Sequence, residues 1–388
     1  MIRDPLAVLV VLAAIVYGAV RLEERSALFR SLGAALVGIL MGMVLSNTGM
    51  LPGESPAYRF LVGPGVSVGI VLILLSVDVR TVFSAGPRML AAFAIGAVGT
   101  VAGAITGGVL WATRLGPETW KLSGQFTGTY TGGGMNFAAL GEALGTDSNL
   151  FTAGVAADVI ITAIWMAACL IVPVVLERWN PDGRRKARAA PAADPPSAPD
   201  ADPTLERTLY ASRRPLHLTD IAALVALGIG TYWAAGRLGE LLPALPEVLW
   251  LTTLALILAQ IPTIRRVAGS AAVGNYLVLL FLASNGARSV IANIFHVGPG
   301  VFYFAATTVA VHGVIIFAAG RLAGLDFGTL AIASQANIGG ASSAIALAGA
   351  RSYADKLLPG VAVGLLGNAI GNYLGWAVAQ FMHGFLGG

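Results

Sequence analysis

Apolar residues in this chain gather into runs of roughly 17 to 25 residues, the length that crosses about 30 Å of hydrocarbon as a helix. The runs fall near residues 5–21, 30–50, 60–77, 89–111 and 150–176, and again near 218–236, 247–264, 272–291, 300–320 and 358–382. In each set of five, a shorter segment lies between the fourth and fifth runs, over 122–141 and 328–349. Both segments are polar and glycine-rich, and each reads as a re-entrant loop or broken helix. The elements predicted are helices alone, in an all-α polytopic membrane protein.

The two sets repeat one another. Gly132-Gly133 answers Gly339-Gly340 at a spacing of 207, the difference between 132 and 339, and Arg114-Leu115 answers Arg321-Leu322 at the same spacing. Residues 75–80 answer 283–288, Gly154-Val155-Ala156 answers Gly360-Val361-Ala362, and Asp4 to Leu22 align with Asp220 to Leu238. Landmarks kept in one order indicate a duplication. Paired interruptions in corresponding apolar segments point to the binding site of a secondary transporter.

Five crossings per half is an odd number, so the halves face opposite ways, as inverted repeats over residues 1–176 and 216–388. Cytoplasmic loops retain positive charge. With both termini outside, eighteen of the 24 Lys and Arg fall on the cytoplasmic side. The first glycine-rich segment then enters from outside and the second from the cytoplasm, with the two tips meeting near the midplane.

Composition agrees with a lipid solvent: 56% of residues are hydrophobic and 11% charged. Residues 177–215 depart from it, with Arg184, Arg185, Lys186 and Arg188 followed by a run rich in Pro, Ala and Asp. Such a stretch reads as a disordered cytoplasmic linker, a topology signal and spacer. The single cysteine, Cys169, excludes a disulfide framework. The net charge of +4 sits in loops and implies the lipid bilayer as partner, not nucleic acid. The expected location is a bacterial-type cytoplasmic membrane.

Candidate chemistry sits in the two interruptions. Around the first glycines stand Thr131, Gly132, Gly133, Gly134 and Asn136; around the second stand Asn337, Gly339, Gly340, Ser342 and Ser343. Without side chains, these glycines bring backbone N–H groups against a bound anion, and both sets are expected to form a substrate cradle. Asp158 lies within the fifth run with no Lys or Arg within a turn or two, and an intramembrane carboxylate is a functional site by default. With Thr162 one turn on, and with Gln335 and Asn368, it forms the expected ion-coupling set, with sodium or a proton at Asp158. No H-E-x-x-H or P-loop is present, and the four histidines are scattered. No catalytic residue or cofactor is expected beyond that possible sodium ion.

Gly-Thr-Tyr-Thr-Gly-Gly-Gly-Met-Asn at 128–136, Ala-Asn-Ile-Gly-Gly-Ala-Ser-Ser-Ala at 336–344 and Ala-Ala-Asp at 156–158 resemble the membrane family called domain of unknown function 819, over nearly everything except the linker. More distantly, the arrangement resembles sodium-coupled glutamate and 2-hydroxycarboxylate symporters, cation/proton antiporters and bile-acid symporters. That resemblance implies a scaffold domain, a mobile core carrying Gly132, Gly133, Gly339 and Gly340, a homodimer, and elevator-like movement. No Arg lies near the second tip, unlike a dicarboxylate site.

Two function classes follow: a sodium- or proton-coupled symporter of a small organic anion or amino acid, and a monovalent cation/proton antiporter built around Asp158. A membrane receptor or scaffold using the linker as effector surface is the third. The topology is checked by cysteines at Ser55 and Ser197 in a Cys169→Ala background. They are expected to label from opposite sides, with Ser197 cytoplasmic, and same-side labelling would remove the inversion.

Overall fold

A computed structural model describes residues 2, 4–178, 215–242, 245–351 and 353–386. Most of the expected 177–215 linker lies outside the described residues. The described residues are helical, without strands. In order they form α1 (Pro5–Arg25), α2 (Ala27–Asn47), α3 (Pro56–Leu74), α4 (Gly86–Leu115), α5 (Thr119–Gly132), α6 (Gly134–Ala143) and α7 (Ser148–Arg178). After the linker come α8 (Leu218–Leu241), α9 (Glu247–Ala259), α10 (Ser270–Arg288), α11 (Ile291–Leu322), α12 (Phe327–Ala350) and α13 (Ala354–Leu386).

Local chemistry sets the boundaries. Asp4 caps α1, its carboxylate accepting from the Ala7 N–H at 2.8 Å ahead of Pro5 at the first helical position. Asp326 caps α12 in the same way through the Thr329 N–H at 2.9 Å. Among the described residues, nine helices are long and apolar enough to cross a membrane, against the ten runs expected. The difference has two sources. Gly33 breaks α2 at φ 75°, leaving Leu32–Asn47 as its apolar part, and α9 has only 13 residues, about 20 Å of helix. Conversely, α12 qualifies by length although Gly340 breaks it in the middle.

The helices pack as two groups. One comprises α1, α2, α3, α8, α9 and α10; the other comprises α4, α5, α6, α7, α11, α12 and α13. In the first, the backbones of α2 and α10 touch where Gly42 meets the Ala283 carbonyl and Gly286 meets that of Ile39. In the second, Gly96, Gly99, Gly103 and Gly107 form a seam on α4 against His312, Thr308 and Phe304 of α11. Small residues permit this proximity and replace the hydrophobic drive that lipid does not supply.

Helix ends expected on one side also lie together. Asn47 donates to the Ser289 carbonyl at 2.9 Å, and Thr152 lies 2.8 Å from the Ser289 hydroxyl. At the opposite end, Arg265 pairs with Asp78 at 2.7 Å. Ser55 is buried and caps the Ala57 N–H at 3.2 Å. The exposed neighbour Glu54 is therefore the better reporter: Glu54→Cys and Arg80→Cys, at opposite ends of α3, are expected to react with a membrane-impermeant maleimide from opposite sides, Arg80 from the cytoplasm.

Candidate functional site

Residues 119–143 fold as a helical hairpin. The base of α5 stands beside the end of α6, where Lys121 Nζ donates to the Gly145 carbonyl at 2.9 Å and the Asp147 N–H donates to Glu118 at 3.0 Å. Midway, Gln125 bridges the arms, giving a hydrogen bond to the Phe137 carbonyl at 3.3 Å and taking one from Thr146 at 3.2 Å. The turn is Gly133, at φ 92° and ψ 170°. α12 turns back in the same manner at Gly340, φ 75° and ψ −169°, so that Lys356 beyond its second arm lies 3.7 Å from Asp326 at its start. Side-chain-bearing residues avoid this backbone region at a cost of about 1–3 kcal/mol. The two turns stand 207 residues apart, from 133 to 340.

The tips meet. A side chain on Gly133 would stand 3.9 Å from Cα of Gly340 and 3.9 Å from Oδ1 of Asn368, and one on Gly134 would stand 3.9 Å from Oδ2 of Asp158. Beside them opens a cavity of about 300 Å³ between the two helix groups. Its second-group wall holds Gly132, Gly133, Gly134, Gly339, Gly340, Ser342, Asp158 and Asn368; α10 contributes Asn275, Val278, Leu279 and Leu282 from the other side. Among the described residues, Asp158 is the one ionisable side chain lining it. Thr129 and Thr162 donate to its two oxygens over long bonds of 3.4 Å.

The remaining residues singled out in the sequence lie in the bodies of the hairpins. Ser343 back-bonds to the Gly339 carbonyl at 2.8 Å, and Asn337 donates to the Ala333 carbonyl at 2.9 Å. Thr131, Asn136 and Gln335 are fully buried beside them. Most of the buried polar side-chain atoms left without a protein partner, among the described residues, belong to these segments: Thr131, Asn136, Gln335 and Asn337 all contribute. Such atoms are costly to bury, and their concentration here sets these segments apart from the rest of the described interior. Thr162 reaches the site through Asp158 alone.

Two participants had no signal in the sequence. Asn275 belongs to an otherwise ordinary span. His312 was one of four scattered histidines, yet it joins both hairpins. Thr100 donates to the Tyr130 carbonyl at 2.8 Å, three residues before the first turn. Having given its proton away, the Thr100 hydroxyl only accepts from His312 Nδ1 at 2.9 Å, as does the Gly96 carbonyl at 2.9 Å. Nδ1 therefore carries the ring proton. On the far side, Nε2 accepts from Ser334 Oγ at 2.9 Å, and Ser334 in turn accepts from Trp165 Nε1 at 2.9 Å. In its neutral form the imidazole thus spans from one hairpin to the other, with Nδ1 as donor and Nε2 as acceptor.

Two outcomes follow. Gly133→Ala and Gly340→Ala are expected to distort the tips through backbone strain alone, since the space around a Gly340 side chain is open. Maleimide reactivity of Ser342→Cys in a Cys169→Ala background measures this, and unchanged reactivity in both would show that the turns tolerate side chains. His312→Asn retains a donor near Nδ1 but loses the acceptor for Ser334. It and Ser334→Ala are each expected to raise Ser342→Cys labelling about fivefold, the effect of a buried hydrogen bond worth about 1 kcal/mol. The double variant should add nothing further, and additive effects would separate the two residues.

A family profile described as "Protein of unknown function (DUF819)" matches residues 7–385. The chain is similar to the uncharacterised membrane protein YjcL of Bacillus subtilis strain 168, at 29% identity over 384 residues that cover 94% of this chain and 93% of the relative. With apolar helices throughout and a family match over almost its full length, this chain is a membrane protein belonging to the DUF819 family.

Proposed function

We propose that the protein is a secondary active transporter in which two inverted repeats carry re-entrant hairpins that meet at a solute site. The observation that carries this reading is the tip-to-tip contact of two hairpins, each broken at a glycine in the same unusual conformation, beside a cavity holding one carboxylate. Irregular backbone at membrane depth is tolerated where it is buried in protein or lines a cavity, and transporters place substrate there. The division into two helix groups with the cavity between them suits elevator-like movement of α4–α7 and α11–α13 against the rest. The distant likeness to glutamate and 2-hydroxycarboxylate symporters points the same way, and adds a homodimer. The charge bias supports both termini outside and the linker in the cytoplasm of a bacterial-type cell.

In this reading a sodium- or proton-coupled symporter carries a small organic anion or amino acid. Asp158 holds the coupling ion, aided by Thr129 and Thr162. A monovalent cation/proton antiporter is the second reading, favoured by Asp158 being the one ionisable group in the cavity wall among the described residues. Uptake into proteoliposomes under separate sodium and proton gradients tests both, since symport needs an organic solute and antiport does not.

Asp158→Asn is expected to fold, to exchange solute at equilibrium, and to lose accumulation against a gradient together with the dependence of solute affinity on the coupling ion. A variant that still concentrates solute on the same gradient would remove Asp158 from coupling.

A further inference from the structure

Resting on the transport-site reading, we infer that the cavity takes a small amphiphilic solute with an apolar body and no more than one carboxylate, and that a positive charge accompanies it against Asp158. That charge is the solute's own ammonium or a co-bound monovalent cation. The argument begins from what the wall lacks. Among the described residues lining the cavity there is no Lys, Arg or His, and the single charge is the carboxylate of Asp158. A dicarboxylate or phosphorylated solute would bring at least two negative charges to a wall that already has one. An enclosed ion without a charged partner costs far more than amides return.

One carboxylate is different. The first turn of α6 begins at Gly134 and the second arm of α12 at Ala341, so backbone N–H groups with no helical partner open beside the tips. Ser342 and Asn368 stand next to them. Together they hold one anionic group, whose charge the cation at Asp158 then balances. The rest of the wall is hydrocarbon, with Phe137 and Val155 on one side and Val278 and Leu282 on the other. A solute polar throughout would leave that surface facing unpaired groups. At about 300 Å³ the space lies at the small end of ligand cavities, roughly 300–1,000 Å³, and suits a short aliphatic chain.

The test uses the full-length protein in nanodiscs, with L-leucine, its desamino analogue isocaproate, and glutarate as probes. Each is titrated in sodium chloride and in N-methylglucamine chloride, following melting temperature and equilibrium binding. Leucine or isocaproate is expected to bind saturably, with glutarate at least tenfold weaker. Leucine binding without sodium assigns the positive charge to its ammonium, whereas sodium-dependent isocaproate binding assigns it to a co-bound cation. Glutarate binding as tightly as isocaproate overturns the inference and leaves the transport site standing. If no probe of any class binds or protects Ser342→Cys from maleimide, the transport-site reading falls and the inference with it.

Discussion

Two breaks in helical backbone have to be kept away from lipid. Where a helix stops at Gly133 or Gly340, N–H and C=O groups lose their intrahelical partners, and hydrocarbon offers none. The fold places each break against the other and encloses both. Gly132 packs directly on the Gly367 carbonyl of α13, and the arms are buried by α4, α11 and α13. Each hairpin must then run its arms back to the end where it began, which brings Glu118 and Lys121 to Asp147 and Gly145 in one case and Asp326 to Lys356 in the other. The glycine seam of α4 serves the same end, because only close backbone contact leaves no space for lipid around the arms.

The same requirement explains why polar residues concentrate in the hairpins and why they take two kinds of position. Those at the turns face the cavity. Those behind them either satisfy one another through protein, as Ser334, His312 and Thr100 do, or have side-chain atoms without a protein partner, as Asn136 and Gln335 do. A neutral imidazole suits the first role. Its two nitrogens act as donor and acceptor in fixed directions, so one ring can hold two hairpins in register without adding charge to the interior.

Most spans could be read from the chain, since a long apolar run in a polytopic protein allows few alternatives. The helix breaks at Gly133 and Gly340 were equally plain, because glycine pairs with polar neighbours recur at one spacing. Asp158 stood out by cost alone. Which hairpin residues face the cavity was not legible: α5 and α12 are buried on nearly all sides, and a helix enclosed all round lacks the polar and apolar faces from which orientation is read. This is why Ser343, grouped with Ser342 by sequence, turns out to bond within its own helix, and Asn337 to bond there and to the Phe93 carbonyl of α4. His312 was hidden for a related reason, as its partners come from α4, α7 and α12, which nothing local connects. The break in α2 at Gly33 gave no signal among so many glycines.

The 13-residue α9 touches both α6 and α13 from the first helix group. Its apolar length falls short of an average bilayer by roughly 10 Å, and such a mismatch is relieved by local thinning of the lipid or by flanking residues reaching towards the headgroups. A thinned annulus on this flank would shorten the insulating layer that separates the two aqueous compartments. Under the elevator-like movement proposed above, the distance to be travelled would then be set by the shortest helix beside the moving group.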